Sequence, residues 1–361
     1  MSETIPSTRR DAQEFETVAD GADRSVAAFE RHRRGPVEQL QHVLHSNPTL
    51  VPVIVLLGAV TVFGLVAGSK FFSAFNLTLI MQQVSIIGIL AAAQSLIVLT
   101  AGIDLSVAAI MVLMSVIAGN LAVYSGVPAF LALLISFAGG TAAGMFNGFL
   151  VTRVKLPPFI TTLGTWSIFY ALNLWLSGAQ SIRSQDIDTE APLLKFFGET
   201  IAVGSARITY GSILMVLVFL VLWYMLNKTA WGRHVYAVGD DAEAAELAGI
   251  RTGRTLMSVY ALAGFVCAIA AWASIGRVGS ISPQAFYEGN LQSITAVVIG
   301  GISLFGGRGS VLGMLFGALI VGVFSLGLRL IGTDPQWTYL LIGVLIIVAV
   351  AIDQWIRKVA A

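Results

Sequence analysis

The sequence is short of charged side chains and of cysteine. Only 11% of its 361 residues are Asp, Glu, Lys or Arg, compared with roughly 25% in an average soluble domain. Cys267 is the sole cysteine, which excludes an intramolecular disulfide and a cysteine-based metal site. No Gly-Lys pair occurs, so the chain lacks a phosphate-binding loop for ATP. The net charge of +1 gives no indication of a nucleic-acid partner, and we predict neither a bound nucleic acid nor a metal ion.

Apolar runs make up most of the chain after residue 48. Hydrophobic residues account for 56% of the sequence, and uncharged runs of about 17 to 25 residues are long enough to cross a bilayer. They predict an all-α membrane protein with about ten transmembrane helices. The runs lie near residues 50–69, 77–99, 105–124, 128–151, 159–177, 210–227, 256–276, 290–304, 309–330 and 337–353. We therefore predict a transmembrane domain at 49–356, preceded at 1–48 by a polar cytoplasmic tail that ends in a short interfacial helix.

The positions of the basic residues predict the orientation. With ten crossings, most of the 21 basic residues fall on the side of the N-terminus, and the positive-inside rule places that side in the cytoplasm. Both termini are then cytoplasmic. The basic residues left outside are Lys70, Arg183, Lys195, Arg207, Arg277 and Arg329.

Two glycine-rich stretches have the same spacing. Gly140, Gly144 and Gly148 in the fourth apolar run match Gly309, Gly313 and Gly317 at the ninth. An offset of five crossings predicts two inverted five-helix repeats. A spacing of four also places the glycines on one helix face, where a neighbouring helix can approach closely.

One segment on the cytoplasmic side, residues 239–250, has the pattern of a short isolated helix. Asp240 and Glu243 have the spacing of a capping box. Gly249 occupies the position of the left-handed residue that ends a helix, and Ile250 can fold back on it. Small apolar residues share one side and glutamates lie largely on another: Ala244, Leu247 and Ala248, against Glu243 and Glu246. The apolar side needs a partner, although an interfacial loop helix without a special role fits the pattern equally well.

This segment resembles the cytoplasmic coupling helix of ATP-binding-cassette (ABC) importer permeases. The matching residues are Asp240, Glu243, Glu246, Leu247, Gly249 and Ile250. Three further stretches, at residues 99–106, 154–165 and 296–310, resemble the ribose and fructose branch of the ABC sugar importer permeases, and the likeness extends over residues 50–355. The sequence departs from many of these relatives at Ala101, where they have a glycine.

The resemblance implies a permease subunit of a bacterial inner-membrane importer for a monosaccharide such as fructose, ribose or mannose. It implies a non-enzymatic chain without a cofactor, since ATP and Mg²⁺ would bind to a cytoplasmic ABC ATPase subunit. The other implied partners are a periplasmic sugar-binding protein and a second permease copy that completes a homodimer.

A passage for a sugar should offer amide or hydroxyl groups beside aromatic planes. The candidates are Gln82, Gln83, Gln94, Asn147, Thr161, Thr165, Trp166, Tyr170 and Asn173, with Phe286, Tyr287, Asn290, Gln292 and Ser293 at the outer mouth. Each of them could instead form an interhelical hydrogen bond or anchor a helix at the membrane interface.

Asp104 stands next to the apolar runs. Its place before the third run suits a structural turn that caps a helix, with Ser106 nearby, although charges at membrane depth are functional candidates as well. The alternative function is an ion-coupled secondary sugar carrier. Such a carrier is expected to hold carboxylates or histidines near the membrane midplane, and the pattern places none there.

Overall fold

The computed structural model describes residues 49–357; the predicted cytoplasmic tail and its interfacial helix lie outside this range. The described part is a predominantly helical membrane bundle, as the sequence predicts. Its helices are α1 (Leu50–Ala67), α2 (Ala74–Leu99), α3 (Val107–Gly119), α4 (Ala129–Thr152), α5 (Pro158–Ser177), α6 (Ser184–Glu190), α7 (Tyr210–Lys228), α8 (Ala230–Asp240), α9 (Ala242–Leu247), α10 (Thr252–Val278), α11 (Gly289–Ile299), α12 (Val311–Leu330) and α13 (Pro335–Arg357).

Eight helices of the described range are long and apolar enough to cross a membrane: α1 to α5, α7, α10 and α12, where α3 is continued by a π-helical segment, Asn120–Tyr124. The prediction of ten full crossings is not confirmed. Helix α11, which corresponds to the eighth apolar run, has 11 residues, about 16 Å and roughly half of a hydrocarbon core. The apolar part of α13, Gln336–Ile352, is also shorter than the other spans.

Helix α11 is short because glycines follow it. Residues 300–309 include Gly301, Gly306, Gly307 and Gly309, which all have positive φ angles. That conformation is compatible with glycine but not with a continuing right-handed helix. The segment therefore turns before α12 begins.

Helix α2 is the centre of the bundle. It is apolar on every side, and a helix of this kind is stable only when it is surrounded by protein or lipid. Every residue from Val84 to Leu99 is buried, and α2 packs against α7, α10, α11 and α12. Helix α1 has the opposite environment, since only 17% of its apolar window is buried inside the protein.

Some helix contacts match the predicted repeat and others do not, so the repeat stays a prediction. In the predicted repeat, α1–α5 correspond in order to α7 and α10–α13. The α4–α10 contact then has its counterpart in α12–α2, α3–α4 in α11–α12, α3–α5 in α11–α13, and α2–α11 in α10–α3. The α1–α12 and α2–α7 contacts have no comparable counterparts among the described residues. The glycines allow close packing as predicted, but they face different neighbours. Gly140 and Gly144 lie against Gly264 and Tyr260 of α10, whereas Gly313 and Gly317 lie against the end of α11.

The segment between α5 and α7 is folded. It contains α6, a 3₁₀ turn at Pro192–Gly198, and a hairpin of β1 (Thr200–Val203) and β2 (Ala206–Thr209) in which Thr200 pairs with Thr209. Lys195 Nζ donates to Asp188 Oδ1 at 2.6 Å and to the Ser184 carbonyl oxygen at 3.0 Å. The Arg207 N–H donates to Thr78 Oγ1 at 3.3 Å, which ties the hairpin to α2.

Candidate functional site

A cavity of about 360 Å³ lies among α2, α10, α11 and α12. It is lined by Gln83, Ile87, Arg277, Phe286, Tyr287, Glu288, Gly289, Gln292 and Arg329. Of these, Gln83 was a predicted pathway residue, and Phe286, Tyr287 and Gln292 were predicted at the outer mouth. We call this space the outer cavity. It combines amide, guanidinium, carboxylate and aromatic groups in a volume typical of small-molecule sites.

Sequence reasoning missed Arg277, Glu288 and Arg329 as cavity residues. Both arginines belong to the small set of basic residues that the predicted topology leaves outside. A cation at the outer end of an apolar helix runs against the positive-inside rule. That exception was the signal that could have identified the two arginines.

A second, smaller cavity adjoins the first. Three predicted pathway residues, Trp166, Tyr170 and Asn173, line it together with Ala108, Ala109, Val112 and residues 283–287, so that the two cavities share Phe286 and Tyr287. Its volume is about 20 Å³, which has room for about one water molecule. In this conformation the second cavity is too small for a sugar.

Aromatic rings line the second cavity, and the ring of Tyr287 is shared with the outer cavity. Trp166 stacks on Tyr170 with centroids 6.0 Å apart and an interplanar angle of 13°, and it meets Tyr287 edge to face at 6.1 Å. Centroid distances in this range are favourable for aromatic pairs. The three side chains, hereafter the aromatic cluster, present apolar ring faces beside the polar lining of the outer cavity.

Two buried asparagines hold the segment that carries Tyr287. Asn173 Nδ2 donates to the Pro283 carbonyl oxygen at 2.6 Å, and Asn290 Oδ1 accepts from the Ala108 N–H at 2.8 Å. The first bond joins the segment to α5 and the second joins it to α3. Because Asn173 Oδ1 is buried without a hydrogen-bond partner, Asn173 also retains an acceptor beside the second cavity.

The other predicted pathway residues line neither cavity. Asn147 donates to Ser106 Oγ, Thr161 to the Pro157 carbonyl and Thr165 to the Thr162 carbonyl. Gln94, with its amide turned to match its neighbours, pairs with the backbone of Asp104, and Gln82 faces the Arg207 carbonyl at 3.5 Å. The structure gives them interhelical or intrahelical partners, and their contact with substrate stays a prediction.

Asp104 forms a buried turn between α2 and α3. Its side chain is 2% exposed, and Oδ1 accepts hydrogen bonds from the N–H and the Oγ–H of Ser106, both at 2.6 Å. The expected helix cap is wrong in detail, because Ser106 occupies the N-cap position of α3 and its side chain makes no capping bond. Burial raises the pKa of the Asp104 carboxyl, while the hydrogen bonds from Ser106 oppose the rise.

Two other helices hold this turn. Asn147 of α4 donates to Ser106 Oγ at 2.8 Å. Thr162 of α5 accepts from the Leu105 N–H at 3.1 Å and donates to the Ile103 carbonyl at 3.0 Å. The geometry fits the predicted structural turn at Asp104.

The short helix predicted between residues 239 and 250 is present as α9. Its cap is Asp241 and not Asp240, since Asp241 accepts from the N–H groups of Glu243 and Ala244 at 2.9 and 3.0 Å. Asp240 is instead the last residue of α8. The capping box fails because α8 continues through Asp240, and only the extended conformation of Asp241 interrupts the two helices.

The end of α9 follows the expected pattern. Gly249 has a φ of 86°, and the Ile250 N–H donates to the Ala245 carbonyl at 3.0 Å, as in a Schellman motif. Ala245 is buried at 5% exposure, whereas Leu247 is 92% exposed. The helix therefore presents Leu247 to the exterior, flanked by the exposed side chains of Glu243 and Glu246.

Helix α8 joins α9 to the spans through backbone contacts. Gly239 lies so close to the Leu99 carbonyl at the end of α2 that an added Cβ would overlap its oxygen. The same carbonyl accepts from the Gly307 N–H at 3.0 Å. Tyr236 donates its hydroxyl to the Gly309 carbonyl at 3.1 Å, and burial raises the pKa of this phenol. We call the contact of Leu99, Gly239 and Gly307 the glycine junction.

Comparison with known proteins identifies relatives of this bundle. A family model described as "Branched-chain amino acid transport system / permease component" matches residues 76–350. The chain is 60% identical to the fructose import permease protein FrcC of Rhizobium meliloti, with 97% of each chain covered.

More distant relatives have related names. The ribose import permease protein RbsC of Bacillus subtilis (strain 168) is 36% identical, with 79% of this chain and 86% of the relative covered. The galactose/methyl galactoside import permease protein MglC of Escherichia coli (strain K12) is 33% identical, with 84% and 92% covered. No solved structure matches significantly. This multi-pass membrane chain therefore belongs to the family of branched-chain amino acid transport system permease components.

Proposed function

We propose that this chain is the permease subunit of an ATP-driven ABC importer that carries a monosaccharide, in the first place fructose, across the bacterial inner membrane. The observation that carries the proposal is the 60% identity to a fructose import permease over 97% of both chains. The match is long enough to include the helices of the outer cavity and the segment of α8 and α9. Ribose and mannose are the other sugars that the resemblance allows.

The outer cavity supports a sugar over a branched-chain amino acid, the substrate class in the family description. Its lining is dominated by hydrogen-bonding groups, with Ile87 and Phe286 as the apolar side chains. A branched aliphatic side chain needs a largely apolar pocket, because polar groups left without hydrogen bonds there would be costly. Sugar hydroxyls instead satisfy amide and guanidinium groups.

Helix α9 is proposed as the coupling helix that docks on the ABC ATPase subunit. A leucine that is 92% exposed on a cytoplasmic helix gains free energy when a partner covers it. The glycine junction gives a short path from α9 to α2 and to the segment before α12, since movement of α8 pushes directly on backbone atoms. ATP and Mg²⁺ bind and react on the partner, in keeping with the missing phosphate-binding loop.

The remaining partners complete the proposed complex. Both termini lie in the cytoplasm, as the distribution of basic residues favours. The folded segment from Gly178 to Thr209 then faces the periplasm and offers a docking surface for a sugar-binding protein. A second copy of the chain forms a homodimer with the first. Closure of the ATPase subunits opens the outer side to the binding protein, and hydrolysis returns the complex to a state that releases sugar inward.

A transport assay tests the proposed function. The chain is purified with its co-expressed partner subunits, placed in liposomes, and assayed for uptake of radiolabelled fructose and of radiolabelled leucine. We expect fructose uptake that requires ATP and the binding protein. Uptake of leucine in place of fructose would overturn the substrate class. Uptake driven by an ion gradient without ATP would establish the secondary carrier instead.

A matched pair of variants tests the coupling helix. Leu247→Ser removes the exposed apolar side chain of α9, and Leu156→Ser changes another exposed leucine in the α4–α5 connection, predicted on the same side of the membrane. We expect Leu247→Ser, and the double variant Glu243→Gln with Glu246→Gln, to lower recovery of the ATPase with the permease several-fold, while Leu156→Ser does not. Equal recovery in all of them would contradict the role of α9.

A further inference from the structure

We infer that the outer cavity is the first binding site for the sugar on the permease, and that Arg277 and Arg329 hold the sugar there by its hydroxyl groups. This inference rests on the proposed function and deepens it, because it names the residues that receive the substrate.

Arg277 and Arg329 reach one cavity from different helices. Arg277 lies in the last turn of α10 and Arg329 in the last turn of α12. A single carboxylate, Glu288, lines the cavity with them. Two cations against one anion cannot neutralise each other as a simple pair, so ion pairing within the cavity does not account for both arginines.

The guanidinium groups are free to bind a ligand. Among the side chains that the structure describes, neither arginine has a carboxylate oxygen within 4.0 Å or a side-chain hydrogen bond to another group. Each guanidinium has five N–H donors in a planar arrangement. Neighbouring hydroxyls of a sugar ring can accept two of them at once, and a planar guanidinium is suited to such paired contacts.

The rest of the lining complements a neutral polyhydroxy compound. Gln83 and Gln292 both donate and accept hydrogen bonds, and each sugar hydroxyl also does both. Tyr287, the member of the aromatic cluster that also lines the outer cavity, is 66% exposed. Its ring can cover the apolar face of a sugar ring. The cavity thus matches hydroxyls on one side and ring carbons on the other.

The location predicts a kinetic signature. Behind the outer cavity, the space at the aromatic cluster measures only about 20 Å³. A sugar delivered from the periplasm must therefore stay in the outer cavity until those rings separate. If the arginines do not hold it, the sugar escapes outward while the ATPase completes its cycle. Loss of the site should lower the number of sugars imported per ATP hydrolysed.

The test measures this ratio in the reconstituted complex with saturating binding protein. The variants are Arg277→Gln, Arg329→Gln and the double variant, and Lys70→Gln is the matched control, because Lys70 is an exposed outer cation that does not line the cavity. A hydrogen bond from a charged donor changes binding about tenfold. We expect the double variant to import at least about tenfold less fructose per ATP than the wild type. Arg277→Lys should lose less of this ratio than Arg277→Gln, and Lys70→Gln should have the wild-type ratio.

The outcomes separate this inference from the proposed function. Because the ratio is taken per ATP hydrolysed, poor assembly of a variant lowers both quantities and leaves the ratio unchanged. If the wild-type complex imports fructose and the double variant keeps the wild-type ratio, the inference is overturned and the proposed function stands. If the wild-type complex imports leucine and no fructose, both are overturned. Equilibrium dialysis of fructose against the complex should show the same loss of binding.

Discussion

The glycine junction makes one substitution particularly informative. Gly239→Ala adds a single methyl group to the penultimate residue of α8. The nearest atoms to that group would be the Leu99 carbonyl oxygen, which it would overlap, and the Gly307 nitrogen at 2.7 Å. Both neighbours are backbone atoms, so no side-chain rotation relieves the contact.

The magnitude follows from three effects. Overpacking of a close contact costs about 1–3 kcal/mol. Displacing the Leu99 carbonyl also weakens its hydrogen bond from the Gly307 N–H, which measures 3.0 Å and contributes about 0.5–1.5 kcal/mol. The better helix propensity of alanine offsets about 0.8–1 kcal/mol. The net expectation is a loss of about 1–3 kcal/mol in the free energy of unfolding.

The assay compares Gly239→Ala with Gly253→Ala. Gly253 is also helical, in the first turn of α10, but nothing lies within 4 Å of an added Cβ there. Thermal unfolding of the purified proteins should show Gly239→Ala clearly destabilised and Gly253→Ala equal to or above the wild type. Sugar uptake per ATP should fall for Gly239→Ala alone. Equal melting temperatures for the two variants would refute the tight backbone contact.

Three further predictions concern turns and caps. Burial raises the pKa of Asp104, so the folded state binds this proton more tightly than the unfolded state, and the resulting stability is lost as the pH rises from the ordinary pKa near 3.8 through the raised pKa. Asp104→Asn keeps an acceptor for Ser106, and we expect it to unfold at a higher temperature than the wild type at pH 8, with a smaller difference at low pH. A lower melting temperature of the variant at pH 8 would contradict the cost of burying the carboxylate. Ala101 has a φ of 59°, so melting temperatures should rank Ala101→Gly above the wild type and the wild type above Ala101→Val, with steps of about 0.5–2 kcal/mol; the reverse order would exclude the left-handed turn. Asp241→Ala should lower the stability of α9 by about 1 kcal/mol and speed amide hydrogen exchange at residues 243 and 244, whereas Asp240→Ala should do neither. The opposite result would show that Asp240 caps α9.

The sequence alone determined the class of molecule and the positions of the eight long spans. Uncharged apolar runs of about 17 to 25 residues are stable as helices that span a bilayer, so composition and run length were sufficient to predict these helices. The same local logic located α9, because Gly249 must end a helix in a left-handed conformation. Family resemblance supplied the expectation of sugar import, which no periodicity could give.

Local rules failed where the outcome depended on neighbours. The end of α8 decided whether Asp240 or Asp241 caps α9, and a capping box cannot register the length of the preceding helix. Helix α11 ended early because glycines with positive φ angles follow it. Gly300 lies against α12, and Gly306 and Gly307 lie against the end of α8, contacts that hydropathy does not encode. The length of an apolar run indicates how long a helix could be, whereas the helix itself ends where the backbone must turn.

The tertiary structure also decided which polar residues line the outer cavity. Gln83 and Gln94 both occur in α2, yet one lies in the cavity and the other is fully buried against the backbone of Asp104. Their separation of three helical turns puts both on one face, so only the neighbours of that face distinguish them. Arg277 and Arg329 lie far apart in sequence and meet because α10 and α12 both end at the cavity. The sequence determined that this chain is a membrane protein; packing determined which of its polar groups line the outer cavity.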